Sequence, residues 1–94
     1  MTFSIPPAKL AAMQQQAQAA KMPYATVVGQ HVYDLQGLVQ VLTDELAGAT
    51  KTAADTAVTA DTRAAAAKEV TDLTHKLAAR QAELAAYQRE QGSA

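Results

Sequence analysis

The sequence predicts an all-α protein, a short N-terminal helix followed by a long antiparallel helical hairpin. Three observations predict it. Of the 94 residues, 23 are Ala, the strongest helix former. Val28, Val32, Leu35, Val39, Leu42 and Leu46 recur at steps of 4, 3, 4, 3 and 4, an unbroken heptad seam. Val70, Leu73, Leu77, Leu84 and Tyr87 form a second stripe at helical spacing, able to face the first.

The first helix is expected over about 7–21, after an N-terminal tail at 1–6. Pro7 suits a first helical turn, because the N–H it lacks has no intrahelical partner there. Leu10, Met13, Ala17 and Ala20 share one face. Met22-Pro23 ends this helix, since a residue before Pro avoids the α region.

The second helix is expected over about 24–47. Leu38 and Val41 widen its apolar stripe beyond a two-stranded seam, and Gly48 stands where a C-terminal cap belongs. Gly29 and Gly37 interrupt it, each costing about 1 kcal/mol against Ala, and close helix approach is the reading that accounts for them. The third helix is expected over about 57–90, supported by Asp72–Lys76 and Arg80–Glu83 spacings, with a frayed tail at 92–94. A single helical domain thus spans 7–91.

The link between the second and third helices admits two readings. Heptad steps from Val28 pass through Leu35, Leu42, Ala49, Thr56, Arg63, Val70, Leu77 and Leu84, so one long coiled-coil helix is the alternative. Thr56 and Arg63 weaken that seam. A hairpin turning near residue 53 pairs Val28 with Leu77, Leu35 with Val70 and Leu42 with Ala64. It also puts His31 level with His75, and leaves Leu84 and Tyr87 to meet Leu10 and Met13.

Composition narrows function. There is no Cys, which removes disulfides, thiolate metal sites and Cys nucleophiles. A net charge of −1 and a pI near 6.0 do not describe a nucleic-acid binder. No apolar run reaches membrane-spanning length, and the N-terminus lacks the pattern of a cleavable secretion signal. His31 and His75 alone are too few for a zinc site. The carboxylates Asp44, Glu45, Glu69 and Asp72 read as solvated helix faces rather than acid–base pairs, and no phosphate-binding Gly loop is present.

The expectation is a non-enzymatic protein with no cofactor, metal or small-molecule substrate, no nucleic-acid partner and no membrane partner. It would act through helix–helix contacts carried by Val28, Val32, Leu35, Val39, Leu42, Leu46, Val70, Leu73, Leu77, Leu84 and Tyr87. Its partners would be further copies of itself, a larger protein assembly, or both. In composition the chain resembles small Ala-rich, Cys-free accessory proteins of high-GC bacteria and their phages. That likeness implies a small structural subunit of a phage particle or other bacterial assembly, cytoplasmic or built into the virion. A small chaperone, adaptor or inhibitor binding one partner protein is the alternative.

Overall fold

The computed structural model describes residues 3–94, and these form three helices: α1 (Pro7–Ala20), α2 (Tyr24–Ala53) and α3 (Ala60–Ser93). Pro6 starts α1 by accepting hydrogen bonds from the Lys9 and Leu10 N–H groups at 2.9 and 3.1 Å. The helix ends on Lys21, whose φ of 54° and ψ of 46° are left-handed. Lys21 N–H donates to Gln18 O and Met22 N–H to Ala17 O, so carbonyls left over at the helix end are satisfied. Pro23 then fixes the entry into α2, its carbonyl accepting from the Thr26 and Val27 N–H groups. The reversal between α1 and α2 therefore takes three residues and lays α1 back against α2.

The second helix runs through Gly48 to Ala53, six residues beyond the expected end at Ala47. No glycine among the described residues has a positive φ. A Gly ends a helix only when the chain leaves in the left-handed region; otherwise it merely weakens the helix. Here the stop comes later, from Asp55, whose Oδ1 accepts from Ala57 N–H at 2.8 Å in a local turn. Arg63 braces the loop from the far side, its Nη1 donating to Val58 O at 2.6 Å and Asp55 O at 3.3 Å. The Thr59 Oγ1 caps α3 by accepting from Thr62 N–H at 3.2 Å, and Asp61 in the first turn suits the helix dipole. The third helix continues through Gly92 to Ser93 rather than fraying near Glu90.

The α2–α3 pair is an antiparallel hairpin, and the break at Ala54–Thr59 excludes the single long helix. Its register is not the one expected. Leu42 packs with Leu73 rather than Ala64, and Val28 belongs to the cluster of Tyr87 rather than facing Leu77. With the turn in 54–59 rather than at residue 53, Leu42 and Val28 meet partners about 9 residues farther along α3, about 13 Å at 1.5 Å per residue.

The core divides in two. At the wide end, where all three helices meet, Met13, Ala17, Val27, Val28, Val32 and Tyr87 are buried together. At the narrow end, two helices alone hold Leu42, Ala49 and Leu73, flanked by Leu46, Val70 and Leu77. Phe3 and Ile5, expected in a free tail, pack onto the wide-end cluster; Met1 and Thr2 of that tail lie outside the described residues. The molecule measures 56 × 23 × 18 Å. Its radius of gyration, 17.9 Å, exceeds the roughly 12 Å of a compact chain of this length.

Candidate helix-docking interface

The site begins with how α1 sits on the hairpin. Val27 is fully buried although it lies to one side of the α2 heptad seam. What buries it is α1, through Met13 (1% exposed) and Ala17. Leu10, Leu35 and Leu84, one from each helix, pack against the same cluster, and Phe3 and Ile5 line a cleft with Ala86 and Glu90 of α3. The first helix thus packs along α2 at the wide end, its buried side chains reaching Tyr87 of α3.

Beyond α1, a groove opens between the hairpin helices, with a cleft of about 430 Å³ between Leu38 and Leu42 of α2 and His75, Lys76, Ala79 and Arg80 of α3. Nearer the tip it runs between Glu45, Gly48, Ala49 and Thr52 on one side and Thr62, Ala65, Ala66 and Glu69 on the other. The steps of three and four on both helices keep these residues on one stripe each. Leu38 and Val41 border the open stretch at 40% and 52% exposure. Gly37 and Gly48 stand on the same rim with nothing within 4 Å of where a Cβ would be. A Cβ at Gly29 would meet only the tip of the Gln91 side chain and one at Gly37 nothing, so close approach of helix backbones within the chain accounts for neither glycine.

Polar groups are distributed unevenly over this face. The ion pair Arg80–Glu83, Nη1 to Oε2 at 3.0 Å, forms as its spacing implies. Glu83 Oε2 is buried and takes no hydrogen bond among the described residues, so the guanidinium charge is its compensation. Among the described residues, Asp72 and Lys76 form no ion pair. At the wide end, Tyr24 donates its hydroxyl to Glu90 Oε1 at 2.9 Å. Burial, then that bond and the Glu90 charge, push the Tyr24 pKa up to about 12. Burial also raises Tyr87 and lowers His31, the latter assisted by Lys9 and opposed by Asp34.

The two histidines are not brought level. His31 stacks on Tyr87, whereas His75 is exposed and lines a cleft with Phe3 and Ser4. No group of three or more His, Asp or Glu among the described residues is placed to hold a metal. Among the described residues, no helix is long and apolar enough to cross a membrane.

Of the eleven seam residues, Val28, Val32, Leu42, Leu73 and Tyr87 are buried. Leu35, Val39, Leu46, Val70, Leu77 and Leu84 are half-buried. Sequence reasoning missed Val27, Ala49, Ala66 and Ala86, all buried. A small side chain gives no periodic signal in a chain where nearly a quarter of residues are Ala. Val27, adjacent to Val28, would have been found by asking which α2 residues a third helix covers.

Comparison with protein-family models, with curated proteins and with solved structures finds no match to this chain.

Proposed function

We propose that this chain is a non-enzymatic assembly protein that works by helix-on-helix contact, as a small subunit of a larger protein structure. The observation that carries the reading is the groove itself. It lies between α2 and α3 beyond the end of α1 and is edged by exposed Leu38 and Val41. The accessible surface supports the same reading. It is 6232 Å², against about 5,200 Å² for a compact monomer of 9.9 kDa. The chain is long and thin, a shape that leaves apolar groups for a partner to cover. A phage particle or other bacterial assembly is the setting its composition suggests.

A second reading has an observation of its own. The groove is lined by the small and apolar side chains Leu42, Ala49, Ala66 and Ala79, which suits a chaperone or adaptor holding an amphipathic segment. Affinity capture of the tagged full chain from its native source, with mass spectrometry, tests both. Each expects protein retained by the wild type and lost with Val41→Asp. A partner held in fixed stoichiometry within a large particle supports the assembly protein, and one soluble client supports the adaptor. No protein retained above the Val41→Asp background, together with a strictly monomeric chain, overturns both.

A further inference from the structure

We propose that the occupant of the open groove is a second copy of this chain, laid antiparallel so that the two hairpin tips form a four-helix arrangement. This rests on the assembly reading above and names its first partner.

Three features carry it. The open stretch from Leu38 to Thr52 is about 21 Å long at 1.5 Å per residue, the length of α1 itself. The hairpin tip of a second copy presents two helical segments of that length, from α2 and α3.

The second feature is charge. Lys76 and Arg80 line the inner end of the open stretch, and Glu45 and Glu69 line the end near the turn. No ion pair within the chain engages Lys76, Glu45 or Glu69 among the described residues. A two-fold partner running antiparallel brings Lys76 of each copy toward Glu45 and Glu69 of the other, Arg80 being held by Glu83. A parallel partner sets like against like, which disfavours it. Asp72 lies between the two groups, one turn from Lys76, and stays at the rim.

The third is exposed apolar surface, since Leu38 and Val41 are 40% and 52% exposed along this stretch. Leu38 and Val41 would lie inside the contact, and Gly37 and Gly48 would let the second backbone approach closely. A lone client helix would cover the groove floor and leave these rims wet, so the second copy accounts for more of the exposed surface.

The test is sedimentation equilibrium of the full chain at tens of micromolar, with cross-linking. A dimer is expected. Val41→Asp should weaken it about ten-fold or more while helicity and the melt of dilute protein stay unchanged, because Val41 is already half exposed. Lys76→Glu should weaken it, and Lys76→Glu combined with Glu45→Lys should restore it. Since the chain has no Cys, Lys76→Cys mixed with Glu45→Cys should give a heterodisulfide in preference to either homodisulfide. A monomer at these concentrations overturns the proposal, and so does a dimer indifferent to Val41→Asp. Preferential homodisulfides at position 76 overturn the antiparallel arrangement, as does a charge exchange that fails to restore pairing. A monomer that still captures a native partner through Val41 leaves the assembly reading standing and removes only the second copy.

Discussion

His31 lies over Tyr87, the two ring centroids 5.7 Å apart and the ring planes 29° from parallel. One ring comes from α2 and the other from α3, and the contact sits beside the deepest part of the core. It fixes the hairpin register at the wide end, where a slip by one turn would separate the rings.

The contact makes acid stability depend on His31. Burial and then Lys9 disfavour the imidazolium in the folded chain, so its pKa lies below the ordinary 6.5. The unfolded chain therefore takes up the proton first. The His31 contribution is complete above about 6.5 and is lost as pH falls through the folded pKa. Urea melts on either side of 6.5 should show wild type losing more stability on acidification than His31→Gln. Equal losses would remove His31 from the account.

Tyr24 acts at the alkaline end. With its pKa raised from 10.0 to about 12, folded Tyr24 holds its proton where the unfolded chain has released it. Its contribution is full below pH 10 and disappears as pH climbs toward 12, with Tyr87 adding to the same slope. Tyr24→Phe should flatten the alkaline loss seen by circular dichroism. At neutral pH it should cost about 1 kcal/mol, for one hydrogen bond to a carboxylate.

Lys21 pays for the left-handed exit from α1. A side chain in that region costs about 1–2 kcal/mol relative to glycine, partly offset because glycine gives the unfolded chain more freedom. Lys21→Gly should raise stability by up to about 1 kcal/mol, read from denaturant midpoints at unchanged slope. A clear loss would show that the Lys21 side chain does something its backbone does not reveal.

Position decides the cost of four further changes. Leu73, 4% exposed at the centre of the narrow cluster, should lose about 2–4 kcal/mol as Leu73→Ala. Leu38→Ala, at a site 40% exposed, should cost dilute protein under about 1 kcal/mol. Ala49→Gly should cost about 1 kcal/mol, since Ala49 is buried inside α2 rather than near the turn, and Thr56→Gly in the loop close to nothing. Thermal or urea melts rank all four, and an Ala49→Gly change as silent as Thr56→Gly would contradict the observed length of α2.

The all-helical hairpin was legible because heptad spacing survives in a sequence otherwise poor in large side chains. The seam from Val28 to Leu46 and the stripe from Val70 to Tyr87 needed only periodicity. The register was not legible, because it depends on where the turn falls, and Gly48 was a stronger local signal than the Asp55–Thr59 pair. Gly48 has an ordinary helical backbone, which no residue type announces. The groove was hinted at by Leu38 and Val41, which exceed what one partner helix can cover. Its extent followed only from the seat of α1, which rests on Val27 and on alanines without a periodic signature.

The division of the core into two clusters has a kinetic consequence. Joining Leu42 to Leu73 closes a chain of about 30 residues, and joining Val28 to Tyr87 directly closes about 60, at an extra entropic cost of about 0.6 kcal/mol. Once the narrow end is zipped, the wide end closes a far shorter loop. The narrow cluster is thus the natural nucleus, and the seating of α1 the last event. Leu73→Ala should then slow refolding, while Met13→Ala should leave refolding nearly unchanged and hasten unfolding. Stopped-flow traces in which Met13→Ala retards refolding instead would reverse the order. In the order proposed, the edge that α1 leaves bare is formed before α1 itself is in place, so a neighbouring chain could meet the hairpin tip while its own wide end is still open.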